Sequence, residues 1–550
     1  MSPLIPLFTG LACEESAWTD RPTQGYCSNG RPCRHESGFE NAELEKRMKP
    51  ETDTNRPAAP QHARRRFLKQ IAAGVAASVS TLPAMAQDTA PSSAAPNAQP
   101  VLAETLARYA AELKYEDLPE DIVRLTKRTI LDTIGCAYGG YSAGPSRIAL
   151  KLAGDVSAKQ PATVLCSGIG TSPDLAVFAG GVMIRYLDFN DAFVSLTHGA
   201  GHPSDTIAAL LVAAELNGRS GRDLITATVL SYEVFCKIAD VFDYLGNGID
   251  HTTLTGIAAT VGAGRLIGLT PEQMVQAIGI TVGGNTATRQ GRSDALSNWK
   301  AFAAADACRK AIFAGELAQE GMTGPVNVFE GSYGFFKVMG HKPVAPPQFG
   351  EPFGIRRAFT KRFPLGQFSQ TVAQAAVEAR SFAKSPDDFQ EVNIHVSHSA
   401  IKIMADGPEK WRPQTHETAD HSIPYAAGLA LMYGTIDPAY YEDPYLHDPH
   451  LIDLVSRVKC LPSDEADRME QEFNLCELEV VLKSGARKTF RVEYHRGHFK
   501  NPMSDVEMEE KFRLMAQKHL TADRVDNLLR LLGGIENERQ VSKLIAATVI

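Results

Sequence analysis

The 550-residue sequence lacks an excess of positive charge. It has 56 Lys and Arg residues against 64 Asp and Glu residues, which gives a formal net charge of −8 at pH 7. Nucleic-acid-binding proteins usually carry clusters of basic residues, so this composition predicts no nucleic-acid partner. No apolar run after the first 100 residues reaches membrane-spanning length, so we expect no membrane attachment once a leader has been removed.

Motifs of two cofactor classes are missing as well. The nine cysteines are scattered along the chain, and no two of them form a C-x-x-C pair. An iron–sulfur hydro-lyase of the aconitase type is therefore not expected. No phosphate-binding P-loop occurs, which argues against a P-loop nucleotide enzyme. The sequence predicts a protein that uses no cofactor.

The segment RRRFLKQIAAGVAASVSTLPAMAQ, residues 64–87, matches a twin-arginine export signal. Its arginines precede Phe67-Leu68-Lys69, a weakly hydrophobic alanine-rich run follows, and Ala84-Met85-Ala86 fits a cleavage site. The alternative is an internal helix with a basic start. The pattern predicts a protein that is periplasmic or otherwise exported by the twin-arginine route.

The leader divides the first hundred residues into three parts. We predict the signal peptide over 48–86 and a flexible linker rich in Ala, Ser and Pro over 87–100. Residues 1–47 are polar and show no periodicity, so we expect them to be disordered or to precede a true start at Met48.

The hydrophobic pattern of the remaining chain changes twice. From 101 to about 350, apolar residues recur at the helical spacing. VNIHVS at 392–397 alternates as a strand does, and 476–494 is typical of a β-hairpin around Ser484-Gly485. Helical spacing returns from Asp505, in helices that could rejoin the first domain. The sequence predicts a mainly α fold with a smaller α+β domain.

The stretch LDFNDAFVSLTHGAGHPSD, residues 187–205, concentrates chemistry-bearing side chains between two apolar helical runs. It holds three carboxylates and two histidines, which are Asp188, Asp191, Asp205, His198 and His202. Pro203 fits the first turn of the second helix, so His202 would lie where free N–H groups favour a bound carboxylate. The alternative is a well-capped corner between helices without chemistry.

His198 and His202 have the four-residue spacing of a zinc pair on one helix. However, Gly199 and Gly201 lie between them and Pro203 follows, which argues against a helix that carries both. We therefore predict no metal site.

Two further residues stand at helix starts. His251 precedes a helix rich in small residues, as His202 does, and the alternative is a buried structural histidine. Lys300 shares a helical face with alanines that should be buried. Because desolvating an ammonium is costly, a carboxylate or an anionic ligand should pair with it, unless the side chain extends to solvent. Arg289 and Arg292 add positive charge nearby.

Lys361 and Arg362 open the predicted α+β domain, where ligand sites between domains often lie; a solvated basic turn is the alternative. Tyr425 follows Pro424 at a helix start and is either a core residue or a substrate contact. Carboxylates, histidines and lysines together suit a cofactor-free lyase on a polycarboxylate, because cations stabilise the charge that grows when a proton beside a carboxylate is removed.

The chain resembles the MmgE/PrpD family of 2-methylcitrate dehydratases, cis-aconitate decarboxylases and relatives. Eight pieces between 130 and 431 carry the resemblance in the family's order, and the resemblance extends over essentially all of 101–550. They are ILDTIGCAYGG (130–140), YLDFND (186–191), GHPSD (201–205), DHTTLTG (250–256), SNWKAFAAADACRKA (297–311), GMTGP (321–325), KRFP (361–364) and ETADHSIPYAAGLAL (417–431).

The resemblance implies a helical domain built from both ends of the mature chain, with an inserted α+β lid, a cleft between them and a homodimer. The predicted boundaries are 101–356 and 501–550 for the helical domain and 357–500 for the lid. We assign catalytic roles to Asp188, His202, His251 and Lys300. We assign substrate binding to Lys361, Arg362, Ser204 and Tyr425.

Ala192 stands where the family pattern has a threonine, so a hydroxyl that could contact substrate is missing. The expected reaction is dehydration of a 2-methylcitrate-like tricarboxylate. Decarboxylation or epimerisation of a related di- or tricarboxylate, such as cis-aconitate, is the first alternative. An exported carboxylate-binding protein with weak catalysis is the second.

Overall fold

The computed structural model describes residues 101–550 except 198, 294, 295, 341, 342, 344, 471 and 473. The predicted signal peptide, the linker, residues 1–47 and His198 lie outside the described residues. None of the described helices is both long enough and apolar enough to cross a membrane.

Helices dominate the described chain before residue 360. They are α1 (Leu102–Glu112), α2 (Glu120–Gly140), α3 (Gly144–Gly154), α4 (Pro173–Arg185), α5 (Ile207–Leu216), α6 (Gly221–Val241), α7 (Thr252–Ile267), α8 (Pro271–Gly284), α9 (Trp299–Gln319) and α10 (Phe335–Val338). Two short hairpins interrupt them, β1 (Ala162–Thr163) with β2 (Gly170–Thr171) and β3 (Phe193–Val194) with β4 (Ala200–Gly201).

Helices and strands mix between 360 and 500, and helices return afterwards. The helices are α11 (Ser369–Arg380), α12 (His398–Met404), α13 (His416–Ala419), α14 (Ile423–Tyr433), α15 (Pro449–Ser456), α16 (Asp464–Met469), α17 (Asp505–Ala516), α18 (Ala522–Gly533) and α19 (Ser542–Thr548). The strands are β5 (Phe389–Val396), β6 (Val458–Pro462), β7 (Cys476–Leu482) and β8 (Arg487–Val492). The predicted mainly α fold with a smaller α+β portion is confirmed.

Local signals fix where the helices near the site begin. Pro173 lies in the first turn of α4, and Pro203 opens a 3₁₀ turn that leads into α5. Pro is favoured at these positions because its missing N–H would have no partner inside the helix. α7 begins directly after His251 and is capped at its C-terminal end by Gly268, whose φ of +94° suits a residue without a Cβ. His202 and His251 therefore both stand at helix entrances.

The strands after residue 388 form one four-stranded sheet in the order β6-β5-β7-β8. β5 pairs parallel with β6 and antiparallel with β7, and Ile394 lies opposite both Cys460 and Leu478. Val392, Ile394 and Val396 are buried on one face of β5, which follows from their alternation in the sequence. The predicted strand at 392–397 and the predicted hairpin around Ser484-Gly485 are confirmed as β5 and as β7–β8.

Buried apolar side chains form two large cores. The first contains residues from 102 to 355 and from 503 to 545, and the second contains residues from 363 to 492. In the first core α9 packs against α4 and α7, and α17 packs on α2. In the second core α11 packs against α14 and on β7 and β8. We call the residues around the first core the helical part and those around the second the α+β part.

Candidate active site

A cavity of about 400 Å³ is lined by side chains of both parts. Buried polar groups form its floor, and Asp243, Lys402 and Asp406 lie exposed at its outer end. The helical part contributes Arg185, Asp188, Thr197, Ala200, His202, Asp243, Leu245, Gly246, His251, Arg289, Arg292 and Ser293. The α+β part contributes Gly366, Gln367, Phe368, Ser399, Lys402, Ile403, Met404, Asp406, His421 and Glu470.

Asp188 is a fully buried carboxylate surrounded by cations. Arg185 Nη1 donates to its Oδ1 at 2.8 Å, Lys300 Nζ lies 3.2 Å from its Oδ2, and Lys361 Nζ donates to its Oδ1. His421 Nδ1 lies 3.5 Å from Oδ2. Burial opposes ionisation, but the three cations hold the pKa of Asp188 well below its usual range. Asp188 is therefore a permanent anion that fixes three cationic side chains around it.

Two lysines hold the backbone that carries this carboxylate. Asp188 has a φ of +49°, a left-handed conformation that Asp tolerates better than most residues. Lys361 Nζ donates to the Asp188 carbonyl at 2.9 Å, and Lys511 Nζ donates to the next carbonyl, that of Phe189, at 2.8 Å. Lys511 also pairs with Asp132 Oδ1 at 2.7 Å. Both helix α17, which follows the α+β part in the chain, and the α+β part itself thus stabilise the turn at Asp188.

The His202 imidazole is held in one tautomer. Its Nδ1 lies 2.6 Å from the carbonyl oxygen of Asp191, and its Nε2 lies 3.0 Å from Nη2 of Arg185. A carbonyl only accepts and a guanidinium only donates, so Nδ1 must carry the hydrogen and Nε2 must accept through its lone pair. Burial, and then the charge of Arg185, lower the pKa of His202 well below its usual value. His202 is therefore a neutral imidazole near neutral pH, with a basic nitrogen at the cavity.

His251 lies beside His202, with their ring centroids 5.2 Å apart. A Cβ at Gly201 would lie 2.9 Å from His251 Cβ, so only glycine lets the loop before His202 approach this closely. His251 Nδ1 is 3.5 Å from Asp250 Oδ1, and its buried Nε2 is 3.9 Å from Asp205 Oδ2 without a hydrogen-bond partner. Burial lowers the pKa of His251 to about 3, although Asp250 opposes that shift.

Asp191 and Asp205 form a buried layer behind the histidines. Asp191 accepts from the hydroxyls of Ser204 and Tyr232, both at 2.5 Å. Asp205 accepts from Asn190 Nδ2 at 2.8 Å. Burial raises the pKa of Asp191 to about 6 and that of Asp205 to about 7. These contacts fix the loop that carries His202, and they leave Asp205 able to hold a proton near neutral pH.

Lys300 links the two parts. It is 2% exposed, and besides Asp188 it donates to Asp420 Oδ1 from the α+β part. Among the described residues, the group that could offer a metal three ligands is Asp188, Asp420 and His421. The ammonium of Lys300 already lies against both of these carboxylates. This geometry suits an ammonium held between two aspartates, and a metal ion would have to displace it.

Positive charge continues along the cavity wall. Arg292 donates from Nε to Asp250 Oδ2 and from Nη1 to the Lys300 carbonyl, each at 3.0 Å. Five cations, Arg185, Arg289, Arg292, Lys300 and Lys361, lie around the floor with the carboxylates of Asp188, Asp205, Asp250 and Asp420, and the buried Glu470 also lines the cavity. Because Asp205 ionises only near pH 7, the floor favours an anionic ligand.

The structure brings five of the predicted site residues together, namely Asp188, His202, His251, Lys300 and Lys361. Three others lie elsewhere. Ser204 is buried behind the floor against Asp191. Arg362 pairs with Glu507 at 3.1 Å, and its side chain is 44% exposed. Tyr425 is buried in the second core, and its hydroxyl donates to the Tyr440 carbonyl at 3.2 Å. None of these three lines the cavity or contacts Asp188, unlike Lys300 and Lys361, which reach Asp188 from behind the cavity lining, so their assignment to substrate binding stays a prediction without support from this geometry.

Asp188 does not orient His202 by accepting its second N–H, because His202 gives that hydrogen to the Asp191 carbonyl, and its Nε2 is 3.8 Å from Asp188 Oδ1. Ala192 is fully buried and exchanges both backbone hydrogen bonds with Phe359. It does not line the cavity, so a threonine at this position would not reach a ligand there directly.

Sequence reasoning missed three residues of the floor. Arg185 ends the apolar helix α4, three residues before Asp188, and this spacing alone could have paired them. Asp420 and His421 lie within the ETADHSIPY piece, but their partners are more than 100 residues away.

A G-Y-S-A-G run at Gly140–Gly144 resembles a nucleophile elbow, yet it joins helices α2 and α3 instead of a strand and a helix.

Comparison with known families gives two matches. Residues 104–348 match the model of the MmgE/PrpD N-terminal domain, and residues 363–532 match that of the MmgE/PrpD C-terminal domain. Together they include every residue that lines the cavity, whereas Lys361 lies between the two matches.

Three curated proteins illustrate the similarity. The chain is 27% identical to a cis-aconitate decarboxylase of Homo sapiens over 466 residues, which covers 80% of this chain and 93% of the relative. It is 26% identical to a 2-methylcitrate dehydratase of Escherichia coli (strain K12) over 436 residues, 73% of this chain and 87% of the relative. An alkylcitrate dehydratase of a fungal species is 28% identical over 421 residues, which covers 70% of this chain and 81% of the relative.

Proposed function

The chain belongs to the MmgE/PrpD family, and from that premise we propose that it is a lyase that dehydrates a 2-methylcitrate-like tricarboxylate without a cofactor. The observation that carries the proposal is the pair of neutral imidazoles, 5.2 Å apart, at a cavity floor with clustered cations. Dehydration needs one group to remove a proton and another to protonate the departing hydroxyl, and two adjacent histidines can supply both.

His202 is the base in this proposal. Its ring lines the cavity, its Nε2 lone pair accepts from Arg185 Nη2, and its Nδ1–H is fixed by the Asp191 carbonyl. The base takes the proton from the carbon beside a substrate carboxylate, and the electron pair of the broken C–H bond forms the new double bond. The neighbouring cations, among them Arg185, offset the negative charge that develops on that carboxylate.

His251 is the acid. Asp250 and Asp205 lie at 3.5 and 3.9 Å from its two nitrogens, and both would stabilise an imidazolium. A substrate with three negative charges raises the pKa of a nearby imidazole, so its entry favours protonation of His251. The C–O bond then breaks, and the hydroxyl leaves as water with the proton from His251. Proton exchange with solvent restores both histidines.

The cavity also supports an alkyl substituent on the substrate. Leu245, Phe368, Ile403 and Met404 line it together with the charged groups. A Cβ at Gly366 would lie 2.6 Å from Met404 Cε and 2.9 Å from His421 Nδ1, so the methionine lies beside the charged floor. An apolar surface there suits a methyl or longer alkyl group on the tricarboxylate.

Decarboxylation of a cis-aconitate-like acid is the second candidate. The cation cluster would stabilise the carbanion left by the departure of carbon dioxide, and that reaction needs a single proton donor. The near-equal identities to the decarboxylase and to the dehydratase do not favour either reaction. The second histidine favours dehydration.

Purified protein incubated with 2-methylcitrate, citrate and cis-aconitate separates these reactions. Enoate absorbance without carbon dioxide supports dehydration, and carbon dioxide from cis-aconitate supports the second candidate. Ligand-dependent thermal stabilisation without either product would instead support a carboxylate-binding protein with weak catalysis.

We also propose export by the twin-arginine route. The support is the RRRFLK pattern at 64–69 and the A-M-A site at 84–86. Replacing Arg64, Arg65 and Arg66 together with lysine should leave the precursor in the cytoplasm. Undiminished export of that variant would contradict the proposal.

A homodimer is our proposal for the assembly, on the family resemblance alone. Light scattering of the purified mature chain should give twice the mass of one chain at micromolar concentration. A single-chain mass at that concentration would contradict it.

A further inference from the structure

We propose that Arg185 is a positioning residue that keeps His202 ready as a base and then releases it when a substrate carboxylate enters. The base role itself rests on the proposed function. The hydrogen bond that prepares His202 does not, and it can be tested without turnover.

Arg185 occupies an unusual place for a guanidinium. It is 2% exposed at the C-terminal end of α4, and it lines the cavity floor. Nη1 donates to Asp188 Oδ1 at 2.8 Å, and Nη2 donates to His202 Nε2 at 3.0 Å. Nε is buried without a hydrogen-bond partner, 3.9 Å from Asp205 Oδ2. Only one of its three nitrogens therefore has a carboxylate within hydrogen-bond distance.

The bond to His202 is informative because of what each atom can do. Arg185 has no acceptor, so it selects the imidazole tautomer whose lone pair lies on Nε2. The Asp191 carbonyl selects the same tautomer from the opposite side of the ring, through Nδ1–H. Protonation of Nε2 would place an N–H against an N–H and lose this contact. Arg185 thus protects the basic nitrogen from solvent protons while the site is empty.

A substrate carboxylate competes for the same guanidinium. Arginine binds a carboxylate through charge-assisted hydrogen bonds that are stronger than a bond to a neutral imidazole nitrogen. Nε and Nη2 lie on one edge of the guanidinium, and neither has an anionic acceptor at hydrogen-bond distance. A carboxylate that accepts from Nη2 frees the His202 Nε2 lone pair at the moment when the substrate is bound.

The groups that face His202 define what removal of Arg185 should do. They are Arg185 from α4, Asp188 from the turn after α4, His251 before α7, and Lys361 from the α+β part. Arg185 and Lys361 disfavour an imidazolium, whereas Asp188 favours it. Arg185→Gln removes a cation in direct contact with Nε2 and offers an amide oxygen that can accept from a protonated ring. His202 should then bind a proton at higher pH.

The test is a pH titration of the imidazole nitrogens by ¹⁵N NMR, with the His202 signals assigned through His202→Gln. In the unaltered protein His202 should be the neutral Nδ1–H tautomer. In Arg185→Gln its protonation midpoint should rise by about one pH unit or more. Arg289→Gln is the matched control, because that cavity arginine makes no contact with His202. In this variant the protonation midpoint of His202 should stay near that of the unaltered protein.

Two outcomes would overturn the positioning role: an Nε2–H tautomer in the unaltered protein, or equal midpoints in Arg185→Gln and Arg289→Gln. If Arg185→Gln does not fold, the tautomer of the unaltered protein still decides, and Arg185→Lys provides the second titration.

The release step is tested with tricarballylate, a tricarboxylate without a hydroxyl to eliminate. Added to the unaltered protein, it should change the ¹⁵N shift of His202 Nε2 and leave that of Nδ1 nearly constant. Binding without a change at Nε2 would overturn the release. Failure of tricarballylate to bind would overturn both the release and the proposed substrate class, and the tautomer result would stand independently.

Discussion

The helical part and the α+β part contribute different kinds of groups to one cavity. The helical part supplies the groups proposed to move protons, His202 and His251, each at a helix entrance. The α+β part supplies charge compensation, through Lys361 and Asp420, and an apolar wall that includes Phe368 and Met404.

The two parts also exchange lysines across their boundary. Lys300 of the helical part binds Asp420 of the α+β part, and Lys361 of the α+β part binds Asp188 of the helical part. Asp420 therefore receives its lysine from the helical part, and Asp188, which Arg185 and Lys300 of its own part already contact, receives a third cation from the α+β part. The comparison teaches that the proton-transfer groups can be local, whereas the charge balance of the site depends on both parts being together.

The largest effect should come from the proton-transfer groups of the helical part. His202→Ala should lower kcat by about 10²–10⁴-fold, the usual contribution of one general acid or base, with little change in KM. His495, a buried histidine of the α+β part outside this cavity, is the matched control: His495→Ala should reduce stability and leave kcat within a few fold. Steady-state kinetics checks both, and a comparable loss of kcat in the two variants would remove the distinction between the parts.

Breaking the lysine exchange should destabilise the protein. Lys300→Met leaves Asp420 and one oxygen of Asp188 without their ammonium, and removal of one partner of a buried ion pair typically costs about 3–5 kcal/mol. Adding Asp420→Asn to that variant should recover part of the loss, because an amide is less costly to bury than a carboxylate. Urea unfolding measures both. No recovery in the double variant would mean that Asp420 and Lys300 are not coupled.

His421 of the α+β part should make the unfolding free energy depend on pH. Burial lowers the pKa of His421 to about 3, whereas in the unfolded chain it is near 6.5. The unfolded state therefore binds one more proton between these values, and stability falls by about 1.4 kcal/mol per unit as pH drops through that window. His421→Gln should lack this contribution, so its unfolding free energy should fall less steeply than that of the unaltered protein between pH 6 and 4. Parallel slopes would contradict the buried neutral histidine.

Ala192→Thr tests the packing where the helical part meets the segment that leads into the α+β part. Ala192 is fully buried where its backbone pairs with Phe359, so added side-chain atoms should cost about 1–3 kcal/mol of stability. Activity on 2-methylcitrate should not rise, because the side chain does not face the cavity. A gain in kcat/KM would show that the hydroxyl reaches the substrate after all.

The smallest effect belongs to Arg362, the immediate neighbour of Lys361. Its partner Glu507 also binds Arg496, and the Arg362 side chain is 44% exposed. Arg362→Ala should therefore cost about 0.2–1 kcal/mol in stability and leave KM unchanged. Lys361→Met, its matched counterpart, should raise KM and lower stability. Equal changes of KM in the two variants would contradict the conclusion that Lys361 belongs to the site and Arg362 does not.

The sequence predicted those features whose signals are local. Helix entrances at His202 and His251 follow from the proline and small-residue patterns after them, and the β7–β8 hairpin follows from alternation around Ser484-Gly485. A lysine among buried alanines required a charged partner at Lys300, and the structure supplies two. Each of these inferences needed only a few neighbouring residues.

The rest depended on contacts between distant residues. Nothing in the sequence pairs Lys300 with Asp420, which is 120 positions away. Lys361 and Arg362 are neighbouring residues with the same charge. Successive side chains outside a helix often point to opposite sides, and only the fold decides which one is buried. The same holds for Tyr425, whose hydroxyl finds a backbone carbonyl inside the second core. The boundaries of the lid domain stay a proposal, which the two hydrophobic cores support.

The most direct test of the central claim is enoate absorbance during incubation of purified protein with 2-methylcitrate, measured side by side for the unaltered protein and His202→Ala. The account predicts enoate formation without carbon dioxide release, and a rate at least about 10²-fold lower in the folded variant. Equal rates in the two proteins, or no enoate from any stereoisomer of 2-methylcitrate with folded protein, would contradict it.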